Sequence, residues 1–244
     1  MNAEELSKIR NIIKNAGNIA VLTGAGISTK SNIPDFRGKE GIANTIRDYG
    51  MAYEELISHT TFVNDPELFY HFYWRHMVYK DAKPNLAHKI LAENEDKYKM
   101  TIITQNIDCL HQAAGSKKVI EVHGSVHSYT CTGCHAHYDL EELDTKTVPI
   151  CNKCGKIIKP DVTLYEEALP EDALNRALLT VQRATLLIIL GTSLRVYPIA
   201  GLPYYFRGSH IILINAEETP FDSKCDYVIH EDIGETLQAI FGEK

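Results

Sequence analysis

The sequence predicts an α/β protein: a parallel sheet covered by helices on both faces, with insertions that form a smaller lobe. Three observations predict it. Short apolar runs alternate with helical stretches. The first run opens directly into a glycine-rich turn. Two regions break the rhythm, and one of them holds four of the six cysteines. Apolar runs that do not alternate with polar residues suit strands buried on both faces, which is the habit of parallel sheets.

Residues 3–16 place Leu6, Ile9, Ile12, Ile13 and Ala16 at helical spacing, and Gly17 stops the run. Asn18 to Leu22 is a short strand that enters Thr23-Gly24-Ala25-Gly26-Ile27-Ser28. Further strands are expected at Met100 to Thr104, Val119 to Val122, Leu186 to Leu190 and Ile211 to Ile214, and helices at 85–97, 170–184 and 231–241. Residues 39–83 lack a clear strand and carry Phe69, Tyr70, Phe72, Tyr73 and Trp74 on a helix after Asp65-Pro66. Residues 127–158 hold the cysteines and few large apolar residues. The larger lobe then comprises 1–38, 84–126 and 159–244, and the smaller one 39–83 and 127–158. A chain of 244 residues is long enough for this plan.

The formal charge of −7 argues against a nucleic-acid backbone as partner and leans toward basic ones. The N-terminus, MNAEELSKIR, has no signal-peptide core. The run from Leu186 to Leu190 is far too short to span a bilayer. A cytoplasmic protein without membrane contact is expected.

Cys131-x-x-Cys134, sixteen residues, then Cys151-x-x-Cys154 is a zinc spacing. Two tight knuckles supply four thiolates in one tetrahedron. Four thiolates close the shell, so the metal is structural. His135 and His137 are read as exposed loop residues, Cys109 as a helix residue packed inside, and Cys225 as unpaired.

A strand, then Gly24-x-Gly26, then a helix is a phosphate-cradling arrangement. The usual dinucleotide fingerprint wants a third glycine at 29, where Thr29 stands. A plain tight turn explains the two glycines equally well. More groups follow: Asp35, Phe36 and Arg37 past the turn, Gln105, Asn106, Ile107 and Asp108 after one strand, His123-Gly124 after another, and Gly191-Thr192-Ser193 after a third. Each alone reads as a cap or an ordinary turn. All of them follow expected strand ends, which gathers them on one edge of the sheet.

Taken together these motifs resemble the sirtuins, the NAD-dependent protein deacylases. GAGIS at 24–28, PDFRG at 34–38, TQNID at 104–108, LHQAAG at 110–115, HG at 123–124, the paired cysteines, GTS at 191–193 and Asn215 occur in that family's order and cover almost the whole chain. The resemblance implies a Rossmann-like domain with a small domain made of a zinc ribbon and a helical insert. It implies NAD as co-substrate, bound between the lobes. Gly24, Ala25, Gly26, Thr29 and Arg37 would then meet the pyrophosphate, and Phe36 the nicotinamide ring. Gln105 and Asn106 would contact the nicotinamide ribose, and Ile107 and Asp108 the carboxamide. Gly191, Thr192, Ser193, Asn215, Cys225 and Asp226 would belong to the cofactor site, mostly its adenosine half. The acyl oxygen of the substrate attacks the ribose carbon as nicotinamide leaves, and His123 serves as general base. The products are lysine, nicotinamide and O-acyl-ADP-ribose. Acyl-lysine peptides would lie as a strand near Val162 to Glu167 and Leu194 to Tyr197.

Two departures stand out. Many family members carry glycine where this chain has Glu166. Desuccinylating members carry Tyr-x-x-Arg on the small-lobe helix, whereas here Tyr73-Trp74-Arg75-His76 puts the arginine one place early. One residue turns a helical side chain by about 100°, so acetyl or another neutral acyl group is expected. Core packing is the plain alternative for this aromatic stripe. Rival readings are a protein ADP-ribosyltransferase on the same NAD site, a catalytically idle zinc module and a dehydrogenase.

Overall fold

The computed structural model describes residues 1–35 and 49–242. Six strands form an all-parallel sheet: β1 (Ile19–Thr23), β2 (Met100–Thr104), β3 (Val119–Glu121), β7 (Leu186–Leu190), β8 (His210–Ile214) and β9 (Tyr227–Ile229). Their order is β3-β2-β1-β7-β8-β9. The chain therefore winds one way from β1 and the other way from β7. The crevice beyond the carboxyl ends of these two neighbours is the topological switch point.

Every residue of β1 and β7 is buried. Successive side chains alternate between two cores, as the period of a strand requires. Ile19 and Val21 pack with α1 (Ala3–Asn15), α5 (Leu86–Asn94) and α8 (Ile233–Phe241), through Ile9, Ile13, Leu91, Leu237 and Ile240. Ala20 and Leu22 pack on the other face with α7 (Glu171–Arg183), through Ala177 and Val181.

A second sheet, β5 (His137–Asp139), β4 (Gly124–Cys131) and β6 (Ile158–Val162), is antiparallel in that order. It shares one core with the short helices α2 (Tyr53–Leu56), α3 (His59–Asn64) and α4 (Pro66–His76). Asp65 caps α4 by accepting the Leu68 N–H at 3.0 Å, and Pro66 takes the first helical position, where its missing N–H costs nothing. The aromatic stripe of α4 is the centre of this core. Phe69, Tyr70, Phe72 and Tyr73 are all buried, and the Tyr70 hydroxyl donates to the Ile158 carbonyl.

The sequence reading missed β9 and this second sheet. It also placed Cys109 inside a helix. Cys109 instead precedes α6 (Leu110–Ala113) with a left-handed φ of 57°, and its half-buried thiol contacts Ser125 and Glu121. Among the described residues no helix is long and apolar enough to cross a membrane.

Candidate active site

A cleft of about 1730 Å³ opens beyond the carboxyl ends of the parallel strands and runs on beneath α4 and β6. The glycine turn after β1 forms its floor. Gly24 donates to Leu190 O at 3.1 Å and Gly26 to Gly191 O at 2.8 Å, so the turn is hydrogen-bonded to the loop after β7. A Cβ on Gly26 would sit 2.8 Å from Gly191 Cα, and one on Gly191 only 2.4 Å from Ile27 N. Gly191 also has a φ of 58°. The two loops interlock backbone against backbone at the switch point, which only glycine permits. Ala25, Gly26 and Thr29 line the cleft beside Gly24.

A polar network lies behind the turn. Ser28, fully buried, donates to Asp108 Oδ2 at 2.6 Å and accepts from Asn106 Nδ2 at 3.0 Å. The other Asp108 oxygen accepts the Leu110 N–H at 2.9 Å, an Asx turn that leads into α6. Ile107 lines the cleft between these two residues in sequence. Near Asp108, His88 and His111 meet edge to face with ring centroids 4.9 Å apart. His111 Nε2 lies 3.1 Å from Thr23 Oγ1. Burial pushes His111 down to about 3. It pushes His88 down to about 4, against the nearby Asp108 charge. Both rings are neutral at physiological pH.

Gln105 ties three strand ends together. Its N–H donates to Thr23 O at 3.0 Å and its side-chain amide to Thr192 Oγ1 at 3.0 Å. Its carbonyl accepts from His123 Nδ1 at 2.9 Å. A carbonyl only accepts, so the Nδ1–H tautomer is selected and Nε2 keeps its lone pair. His123 lines the cleft. Burial lowers its pKa, and the bond to Gln105 opposes that shift. The arrangement supplies an uncharged base at neutral pH.

Thr192, Ser193 and Asn215 line the other end of the cleft. Asn215 is held by its own amide, which donates to Glu217 O at 2.6 Å, and by its N–H, which donates to Ile229 O at 3.1 Å. Cys225 and Asp226 do not join them. They precede β9, at the amino ends of strands parallel to β8, and Asp226 there exchanges bonds with the Ile211 backbone. Their place in the cleft is taken by Glu231, Asp232 and Ile233, which follow β9. Phe36 and Arg37 lie outside the described residues.

The ribbon holds the four cysteines. Their sulfurs lie within 4.8 Å of one another. Gly133 and Cys134 donate backbone N–H groups to Cys131 Sγ at 3.4 and 3.5 Å, and Lys153 donates to Cys151 Sγ at 3.4 Å. Such bonds favour thiolates over thiols. Donor set and spacing fit one tetrahedral zinc ion with no open position. His135 and His137 are exposed beside it and are not in the cluster.

Both expected peptide segments reach the cleft, in part. Val162 to Glu167 lines it throughout, and Val196 and Tyr197 line it from the second segment. Leu194 is instead buried in the core beside α7, and Arg195 does not line the cleft. Tyr73 and His76 of α4 and Met77 just after it line the cleft, and Arg75 does not. Ser28 and His111 stand in the GAGIS and LHQAAG motifs without a role assigned from sequence, and His88 and Glu231 to Ile233 carry no sequence signal for the site. A hydroxyl placed directly after the apolar Ile27 in the turn was the one local signal for Ser28.

Fold and site together define a class: a two-lobed α/β enzyme, its parallel sheet covered by helices on both faces, with a dinucleotide-sized cleft at its switch point and a structural thiolate zinc module. The chain belongs to the Sir2 family, whose model matches residues 24–198. It is 48% identical over 237 residues to the NAD-dependent protein deacetylase of Clostridium perfringens, covering 96% of this chain and 97% of that one. It is 38% identical over 240 residues to the enzyme of the same name from Staphylococcus aureus strain N315, covering 98% and 99%. Among solved structures, a Sir2 variant with deacetylated p53 peptide and 3′-O-acetyl ADP-ribose matches with a TM-score of 0.88 at 39% identity, covering 96% of each chain. A Sir2–p53 peptide–NAD⁺ complex matches with a TM-score of 0.83 at 38% identity, covering 98% and 97%.

Proposed function

We propose that this chain is an NAD-dependent protein lysine deacetylase, acting in the cytoplasm on acyl-lysine segments seated between its two lobes. The observation that carries the reading is His123. Its Nδ1 is committed to the Gln105 carbonyl, which leaves Nε2 as the basic nitrogen, and the residue lines the same cleft as Asn106 and Asp108. NAD supplies an electrophilic ribose carbon and a leaving group. The residues around it supply position and proton transfer. The interlocked Gly24–Gly26 turn and Gly191 leave backbone room for a pyrophosphate. Asp108, fixed by Ser28 and Leu110, offers an oriented carboxylate for a carboxamide N–H. Thr192, Ser193, Asn215 and Glu231 to Ile233 suit the adenosine half. His123 accepts a proton from a ribose hydroxyl, a task that an uncharged, buried imidazole performs at neutral pH. Val162 to Glu167 and the Val196–Tyr197 stretch hold the peptide as an added strand.

Tyr73, His76 and Met77 face the acyl end, and no arginine of α4 does. That favours acetyl over succinyl groups. The decisive experiment is mass spectrometry of the products from NAD and a panel of acyl-lysine peptides. Acetyl-lysine should be consumed with equimolar nicotinamide and O-acetyl-ADP-ribose. Loss of the general base in His123→Ala should cut turnover by ~10²–10⁴. Nicotinamide release without an acylated peptide, with ADP-ribose left on protein, would favour the ADP-ribosyltransferase reading instead.

A further inference from the structure

Glu166 sits at the rim of the cleft, exposed, in the segment that the deacetylase reading assigns to the peptide. Its φ of 75° lies in the left-handed region, which glycine enters freely and a residue with a Cβ does not. The strain is offset by two bonds to α3. Glu166 Oε2 accepts from Thr60 N–H at 2.8 Å and from Thr60 Oγ1–H at 2.7 Å. Both bonds go to one oxygen, so Oε1 stays open. The same bonds hold the carboxyl below the usual glutamate range, so it is ionised at neutral pH. Its neighbour differs. Glu167 is met by Lys159 Nζ at 3.1 Å, His59 Nδ1 at 3.0 Å and the Leu164 N–H at 2.9 Å. Among the described residues no lysine or arginine pairs with Glu166. Among the described residues the rim therefore presents a held negative charge with only His59 as a nearby cationic partner, in the same cleft that Val196 and Tyr197 line.

We propose that Glu166 selects substrates by charge, favouring acyl-lysines that have a lysine or arginine nearby in sequence. The inference rests on the deacetylase reading and adds a specificity-determining residue to it. Pinning by Thr60 matters, because a carboxylate already held in place loses little side-chain freedom when it meets a cation.

The test is a set of acetyl-lysine peptides identical except for lysine or glutamate placed one or two residues to either side. Each is assayed with NAD at low and at 0.5 M salt, using the intact protein, Glu166→Gln and Glu166→Gly. At low salt the lysine-flanked peptide should be favoured over the glutamate-flanked one by about 3–5-fold in kcat/KM at the best position, the scale of an exposed ion pair. The difference should lie in KM and shrink at high salt. In both variants the two peptides should converge to within measurement error. Glu166→Gly also relieves the left-handed strain, so a folding defect is not the expected cause. Equal kcat/KM values for the two peptides with the intact protein would overturn the proposal. So would a preference that survives Glu166→Gln. No turnover of any peptide would remove the deacetylase reading, and this inference with it.

Discussion

Replacing Gly124 with alanine should cripple the enzyme without touching any group that does chemistry. Gly124 follows His123 and opens β4 with a φ of 79°. A Cβ there would lie 1.9 Å from the Asp161 carbonyl oxygen and 3.2 Å from Val162 Cα. Carbon and oxygen in ordinary contact sit about 3.3 Å apart, so β4 and β6 would have to part by roughly 1.4 Å. The pair Gly124–Val162 and the 2.9 Å bond from Thr163 N–H to His123 O lie at that point. The left-handed conformation costs alanine roughly 1–2 kcal/mol, and a lost backbone bond about 1 kcal/mol more. A total of about 2–3 kcal/mol should lower Tm by roughly 4–12 °C in a chain of this size. Activity should suffer more. A catalytic group displaced by about 1 Å loses on the order of 10²-fold, and His123 is covalently next to the clash. The assay is kcat/KM for NAD-dependent deacetylation beside thermal unfolding and zinc content. Gly50→Ala is the control, since Gly50 has a φ of 69° but, among the described residues, nothing within 4 Å of an added Cβ. Gly124→Ala with kcat/KM within threefold of the parent and an unchanged Tm would refute the reasoning.

Asp108→Asn removes the charge that accepts the Ser28 hydroxyl at 2.6 Å; deacetylation and nicotinamide exchange should fall about 10- to 10²-fold, the weight of a charge-assisted bond. ADP-ribose affinity, by calorimetry, should stay within threefold, and an equal loss there would place Asp108 at the wrong end of the cofactor. Metal analysis should find one zinc per chain; Cys154→Ala or prolonged chelation should lower Tm and inactivate slowly, whereas instant inhibition reversed by zinc would contradict a structural site. Stability should also fall with acid. His88 and His111 have lowered pKa values in the fold, so below the ordinary histidine value of ~6.5 the unfolded chain binds protons that the folded one refuses. Their contribution is complete above that value and is lost as pH falls toward their folded values, with a slope of up to ~2.7 kcal/mol per pH unit for the pair. Urea unfolding at pH 7, 6 and 5 measures it, and equal stability at all three would show that the rings are not buried neutral.

What could be read from sequence was whatever is local. Leu186 to Leu190 was found with its true limits, because a strand buried on both faces is an unbroken apolar run. The zinc ligands were found because each knuckle is four residues long. β4 to β6 were not, since Ser128, Thr130, Lys159 and Asp161 put polar side chains along half-exposed strands. β9 has only three residues at a sheet edge. The Ser28–Asp108 bond joins positions 80 apart, and His88 meets His111 only through the fold. Cys225 and Asp226 are expected at the site only through the family resemblance. In a parallel sheet the ligand edge is set by strand direction, and it is the residues after β9, not before it, that reach the cleft.

Thr29 shows why the incomplete dinucleotide fingerprint is informative. In that fingerprint the third glycine allows close packing of a long helix on the strand. Here the turn leads into a 3-10 helix of seven residues, Ala25–Ser31, closed by Asn32 at a φ of 62°. Thr29 is exposed, and its hydroxyl turns back to Gly26 O at 3.0 Å. No tight helix–strand contact exists at this position, so glycine is not required there. The short helix does something else. It ends where Asn85 Nδ2 donates to Ile27 O at 2.8 Å and to Ser31 Oγ at 3.0 Å, and it turns Ser28 inward onto Asp108. A long helix would continue away from the sheet. The tight 3-10 turn binds the glycine loop to the acid–amide pair after β2, which in the proposed reading would join the pyrophosphate and nicotinamide ends of the site. A hydride-transferring enzyme needs the nicotinamide ring held for reversible exchange. An enzyme that breaks the nicotinamide bond needs the carboxamide and ribose fixed relative to the phosphates, and in the proposed reading the Ser28–Asp108 link would supply that constraint.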